Sequence, residues 1–160
     1  MKTPAHVLSW KEIDQQVELL CENLQGKAVD VIVGITRSGL IPAVMIAHRL
    51  AIRDLVPIEI RRTVSDDVQS SKTEPRFLGD VPVEALAGKR VLLVDDIVGE
   101  GRTLLHARER LEGVAQEVIS CVLVVNRQNL GAREPGEVVD LHACQVRGWT
   151  RFPWESPREG

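Results

Sequence analysis

The stretch Val91–Leu105 reads VLLVDDIVGEGRTLL. Four apolar residues run into two adjacent carboxylates, and a turn built on Gly99 and Gly101 leads into a helical pattern. The apolar part predicts a strand over Lys89–Asp96 that is covered on both faces. The glycines permit tight turns that aim successive backbone N–H groups inward. The start of the helix predicted over Thr103–Leu111 adds free amide donors and the positive end of its dipole. With the Thr103 hydroxyl, these groups make a cradle for a phosphate monoester. Asp95 and Asp96, leaving the strand on opposite sides, can accept hydrogen bonds from a cis-diol or hold Mg²⁺ directly or through water. A phosphate cradle beside a diol acceptor describes a ribose 5-phosphate site. The plainer alternative has the acids capping a turn and the glycines serving packing. Glu100 weighs on that side, because a carboxylate inside a phosphate loop repels its ligand unless it points outward.

The flanking chain supplies a sheet around this strand. Ser9 and Glu12 form a capping-box pattern ahead of Ile13, Val17, Leu20, Cys21 and Leu24 at helical spacing. Val29–Gly34 reads as a buried strand, followed by Thr36-Arg37-Ser38-Gly39 and a helix over Leu40–Leu50. Further strands are predicted at Val56–Arg62, Val118–Val125 and, more weakly patterned, Val138–Leu141. Strands alternating with helices predict an α/β fold whose mainly parallel sheet is covered on both faces. Ligands bind such sheets beyond the carboxyl ends of the strands, where Thr36–Gly39 and Asp95–Thr103 fall. The polar stretch Thr63–Asp80 has no apolar period and is longer than most connections, which predicts a functional lid or a disordered segment. Arg61 and Arg62, just ahead of it, read as solvated.

The whole is one domain's worth of chain, 160 residues of 17.8 kDa. Apolar residues make up 44% and charged residues 27%, which excludes a disordered or fibrous chain. Twenty basic against 23 acidic residues leave a net charge of −3, which argues against nucleic-acid or membrane-surface binding as the main activity. No run approaches a membrane span, and the first residues lack the apolar stretch of a signal peptide. Cys21, Cys121 and Cys144 sit in or beside apolar runs without CxxC spacing, as buried thiols of a cytoplasmic protein do. His48, His106 and His142 show no metal-ligand spacing.

The segment resembles the phosphoribosyl diphosphate (PRPP) signature of type I phosphoribosyltransferases: an apolar strand, two acids, two apolar residues, a short turn, then Gly-x-Thr/Ser. GITRSGLIPA (Gly34–Ala43) is similar to that family's pyrophosphate loop, and Thr63–Asp80, with Lys72, to the mobile loop that closes over the site. GWTRFPWE (Gly148–Glu155) resembles the C-terminal hood of short bacterial and archaeal purine enzymes of the xanthine-guanine and hypoxanthine-guanine types. The opening SWKEI is also like theirs. The resemblance spans nearly the whole chain and implies a single domain over 1–160, with a mobile loop at 63–80 and a hood at 143–160.

The activity it implies is transfer of a 5-phosphoribosyl group from PRPP to a nucleobase, foremost a 6-oxopurine, with Mg²⁺ as cofactor. Asp95 and Asp96 would bind the ribose hydroxyls. Ile97, Val98, Gly99, Glu100, Gly101, Arg102 and Thr103 would form the 5-phosphate loop. Arg37, Ser38 and Gly39 would present backbone groups to the pyrophosphate across a non-proline cis peptide. Lys72 would approach the pyrophosphate on loop closure. Trp149 would stack on the base, Thr150 would contact its edge through the backbone, and Asn126 and Arg127 would complete the base site. Asp96 and Glu155 would contact the metal. Trp154 reads as packing. The resemblance also implies a dimer or tetramer.

Two positions depart from the family pattern. Gly99 stands where the purine enzymes carry an aspartate that assists proton removal from the base, and Glu100 stands where they carry a phosphate-binding threonine. Glu100 either takes over that catalytic role or faces solvent while backbone amides alone bind phosphate. Asn126-Arg127 stands where a lysine reads the oxygen at C6. An amide both donates and accepts, so it fits an oxo or an amino group. A non-catalytic PRPP- or nucleotide-binding regulator, or transfer to an unusual acceptor, are the alternatives these departures leave.

Overall fold

The computed structural model describes residues 6–62 and 74–155. Six strands form one sheet: β2 (Val31–Ile35), β3 (Leu55–Arg62), β4 (Pro75–Leu78), β5 (Arg90–Val98), β6 (Glu117–Asn126) and β7 (Leu141–Val146). Their order is β4-β3-β2-β5-β6-β7, with every neighbouring pair parallel except β3 and β4. The β-branched and leucine runs of β2, β5 and β6 occupy its middle, where both faces are covered.

Alternation along these strands divides the core in two. Val31 and Val33 of β2, with Val91 and Leu93 of β5, face Leu104, Ala107 and Leu111 of helix α4 (Arg102–Glu112). Ile32, Leu92, Val94, Cys121 and Leu123 face the other way. They pack on α1 (Trp10–Leu24) and α2 (Leu40–Leu50), including Ile13, Val17, Leu20, Leu24, Ala43 and Ile46. α1 begins with the expected reciprocal cap: Glu12 N donates to Ser9 Oγ at 3.2 Å and Ser9 N donates to Glu12 Oε2 at 2.7 Å. A short helix α3 (Val83–Leu86) precedes β5 and buries Leu86.

The mainly parallel α/β sheet is as expected, and the predicted helices and inner strands fall within a few residues of those observed. Two segments differ. Pro75–Leu78, inside the stretch expected to lack structure, is an edge strand whose Phe77 sits opposite Ile60. An edge tolerates proline at its first residue, so Pro75 does not stop the pairing. Residues 63–73, including Lys72, lie outside the described residues. The second difference is at Val138-Val139, which are buried but not in a strand. They follow a 3₁₀ turn (Pro135–Glu137), and the strand β7 starts only at Leu141.

The C-terminal residues fold back on the N-terminus. β8 (Thr150–Arg151) pairs in parallel with β1 (His6–Val7). Trp154 stacks on Phe152 with centroids 4.6 Å apart and meets Trp10 at 5.9 Å. The three cysteines are free, with Cys21 and Cys121 buried and Cys144 half-buried. No helix among the described residues is long and apolar enough to cross a membrane.

Candidate active site

Because β2, β5, β6 and β7 are parallel, their carboxyl ends meet on one edge, and two clefts open there. The first, about 310 Å³, is lined by Asp95, Asp96, Ile97, Val98, Gly99, Glu100, Gly101, Thr103, Leu104 and Asn129. The second, about 520 Å³, is lined by Arg37, Ser38, Ile41, Trp149, Arg151, Trp154 and Glu155.

The first cleft contains the proposed sugar-phosphate loop. Gly101 has φ +85°, a left-handed conformation that a side chain resists, and it opens α4 as its N-cap. A Cβ there would stand 2.7 Å from a Val138 methyl, so the buried valine that looked like part of a strand instead backs the loop. Arg133 clasps the loop from outside, donating to the Glu100 carbonyl at 2.5 Å and to the Leu130 carbonyl at 3.3 Å. The Glu100 carboxylate lies 3.4 Å from Arg102 Nε, so its charge has a cation beside it.

Asp95 and Asp96 lie near the carboxyl end of β5, just before Ile97 and Val98. Asp96 is only 9% exposed, and both carboxylates receive backbone donors: Asp96 N reaches Asp95 Oδ1 at 2.9 Å and Ile97 N reaches Asp96 Oδ1 at 2.8 Å. Burial, then the neighbouring Asp96 charge, pushes the Asp95 carboxyl well above its ordinary range. Burial also raises Asp96, against its hydrogen bonds, with the Glu155 charge adding to the rise. Two adjacent acids in this state are suited to a diol or a cation, either of which favours the ionised form.

The donor set fits Mg²⁺, a hard cation that takes carboxylate oxygens. Among the described residues no group of three or more His, Cys, Asp or Glu side chains is placed to hold a metal alone. Ligand oxygens would therefore complete its shell, which is the usual state of Mg²⁺ bound with phosphates.

In the second cleft, the Thr36–Arg37 peptide is cis, and the loop it belongs to presses against β5. A Cβ at Gly39 would stand 2.9 Å from the Val94 carbonyl oxygen and 3.0 Å from Asp95 Oδ1. Glycine thus lets the Thr36–Gly39 loop touch the acidic pair, joining the two motifs. Trp149 also lines this cleft and is 55% exposed. Thr150 is buried, and its hydroxyl takes no hydrogen bond among the described residues. Trp154 both packs and lines this cleft.

Asn126 and Arg127 line neither cleft. Asn126 caps the short helix α5 (Arg127–Leu130), accepting from Gln128 N at 3.1 Å, and its Nδ2 donates to the Gly148 carbonyl at 3.0 Å. Both ends of the amide are occupied in tying β6 to the residue before Trp149. Arg127 reaches the Arg133 carbonyl at 3.4 Å and Glu134 at 3.3 Å. Arg61 pairs with Glu59 at 2.7 Å. Sequence reading missed Asn129, Ile41 and Arg151 as cleft residues. Asn129 follows a strand end, which is a usable signal, whereas the inward turn of Arg133 has none.

Residues 7–158 match the phosphoribosyl transferase domain family, and the chain belongs to it. A xanthine-guanine phosphoribosyltransferase of Cereibacter sphaeroides is 30% identical, covering 92% of this chain and 85% of its own. An adenine phosphoribosyltransferase of Ruegeria pomeroyi is also 30% identical, over 77% of this chain and 72% of its own. Among solved structures, a purine phosphoribosyltransferase from Pyrococcus horikoshii superposes with a TM-score of 0.77 at 28% identity, covering 96% of this chain and 95% of that one.

Proposed function

We propose that this chain, acting as one domain, transfers the 5-phosphoribosyl group of PRPP to a ring nitrogen of a purine, foremost a 6-oxopurine, and releases pyrophosphate. The observation that carries this reading is one cleft lined by both the Gly99–Thr103 turn and the Asp95–Asp96 pair, with a second cleft lined by Arg37, Ser38 and the exposed Trp149. Relatives named for xanthine-guanine and for adenine align at similar identity, so the preference for a 6-oxopurine is this proposal's own.

In the reaction the bond from the sugar's anomeric carbon to pyrophosphate breaks and a bond to the base nitrogen forms, while the base gives up that nitrogen's proton. The sugar passes through a cation-like state, so positioning and electrostatics carry most of the work. Backbone amides of Gly99–Gly101 and the Thr103 hydroxyl hold the 5-phosphate. Asp95 and Asp96 hold the ribose hydroxyls, and their negative charge stabilises the developing cation. Arg37, Ser38 and Gly39 hold the diphosphate across the cis peptide. Trp149 stacks on the base, with the Thr150 backbone along its edge. Asp96 and Glu155 would contact Mg²⁺, which supplies charge neutralisation on the departing diphosphate when bound. Lys72 is assigned to the diphosphate by the resemblance alone. The Arg102 partner of Glu100 supports a non-catalytic Glu100 with its charge partly offset. Asn126 acts by holding the residue before Trp149, and Arg127 by bracing the Arg133–Glu134 turn.

Pyrophosphate release from Mg-PRPP with hypoxanthine, guanine, xanthine and adenine tests the reading. Release with a 6-oxopurine supports it, and no release with any base overturns it. The absence of an acid at Gly99 favours a second reading, a PRPP-binding regulator, which predicts tight PRPP binding without turnover.

A further inference from the structure

Arg151 stands in the wall of the cleft that contains Trp149, and its guanidinium has no hydrogen bond or ion pair among the described residues. Its backbone is fixed: Leu8 N donates to the Arg151 carbonyl at 2.9 Å, and Arg151 lies opposite Val7 in the β1–β8 pair. Along an extended strand, residues two apart leave on the same side. Trp149, the residue just before β8, is held extended by His6 N donating to its carbonyl at 2.8 Å, and it lines the same cleft as Arg151, while the intervening Thr150 is only 7% exposed. Arginine on a surface strand ordinarily extends its head into water. This one is half-buried in a concave wall with two indoles.

The other charges of the cleft have places of their own. Arg37 belongs to the loop with the cis peptide. Glu155 accepts from Phe152 N at 3.3 Å, and its charge acts on Asp96, at the metal end of the site. Arg151 is left lining the same cleft as the exposed Trp149. A guanidinium offers five N–H donors and no acceptor. An oxo oxygen facing it is bound, whereas an exocyclic amino group facing it sets donor against donor and leaves polar groups unpaired.

We infer that Arg151 is a specificity-determining residue, selecting purines that present an oxo oxygen to the strand β8 over purines that present an amino group there. The inference rests on the reading of this cleft as the base site.

The test is kcat/KM at saturating Mg-PRPP for two matched pairs, hypoxanthine against adenine and xanthine against guanine, in the wild type, Arg151→Met and Arg151→Gln. The first pair differs by oxo or amino at C6, the second by oxo or amino at C2. In one pair, the oxo-over-amino preference falls at least about tenfold in Arg151→Met, the scale of one charge-assisted hydrogen bond. Arg151→Gln, which both donates and accepts, falls between the two. KM for PRPP, measured alongside, stays within about threefold and reports that the site remains assembled. Turnover with both ratios unmoved overturns the inference and leaves the base-transfer reading standing, as does a rise in KM for PRPP alone. No turnover of any base by the wild type overturns both.

Discussion

A β-carbon added to Gly99 would stand 2.9 Å from the Cβ of Asn129, the residue of α5 that lines the proposed sugar-phosphate cleft. The obstructing atom is fixed by the helix backbone, so rotating the Asn129 side chain does not relieve it. The glycine at this position is thus matched to a neighbour, and the missing acid cannot simply be put back. Gly99→Asp is expected to destabilise the protein by about 1–3 kcal/mol, the usual cost of overpacking. Asn129→Gly in the same chain should recover most of that loss. Denaturant midpoints of the four variants in a double-mutant cycle measure the coupling. Additive effects would mean the two positions do not touch.

Gly101 combines two requirements, a left-handed backbone and a close valine. Gly101→Ala should cost about 1 kcal/mol for the backbone and more for the clash with Val138. PRPP affinity should fall at least about tenfold, because the amides of the turn are re-aimed. Adding Val138→Ala should return stability but not affinity. Calorimetric PRPP titration beside thermal melts separates the two effects.

The parallel sheet and its site edge were legible because β2, β5 and β6 carry uninterrupted apolar runs and because Asp95-Asp96 and Gly101 lie next to each other in sequence. What escaped was set by contacts between distant segments. β4 forms because Phe77 finds Ile60 across the sheet and Arg110 over its ring at 5.6 Å, a pairing that a proline-led polar stretch hides. Val138 has the composition of a strand residue, yet the 3₁₀ turn before it delivers it to the back of Gly101. Asn126 illustrates a different limit. The family resemblance implies a base reader there, while the structure shows its amide capping α5 and donating to the Gly148 carbonyl, contacts that depend on a distant segment.

The acidic pair makes stability depend on pH. The folded state holds the protons of Asp95 and Asp96 more tightly than the unfolded chain does. That contribution is whole below the ordinary carboxylate value of 3.8 and is lost as pH rises from there through the raised folded values. Asp95→Asn removes the penalty, so without ligand its melting temperature should exceed the wild type's at pH 7.5, with the gap closing toward pH 4. Each kcal/mol relieved is worth about 2–4 °C in a chain of this size. The same variant should lose Mg-PRPP binding and turnover. Scanning calorimetry at the two pH values checks the sign, and a melting temperature below the wild type's at pH 7.5 would contradict it.

Glu100 is the remaining oddity of the phosphate loop, and its 3.4 Å approach to Arg102 Nε indicates what its removal should do. Glu100 lines the cleft in which the proposed function would place a dianionic phosphate, and Arg102 offsets its charge only in part, at a half-exposed position. Glu100→Thr deletes the negative charge, supplies a hydroxyl donor and leaves Arg102 with only the exposed Glu74, at 3.6 Å, to compete with the phosphate. PRPP affinity should rise about three- to tenfold, more at low salt than at high salt because screening weakens the repulsion being removed. kcat should change by less than about threefold. If affinity rises while kcat collapses by a hundredfold or more, the carboxylate takes part in proton removal from the base. Titrations at two ionic strengths, with single-turnover rates beside them, distinguish these outcomes. Glu100→Gln sharpens the comparison, since it removes the charge while keeping the shape and should reproduce the affinity gain without the new hydroxyl.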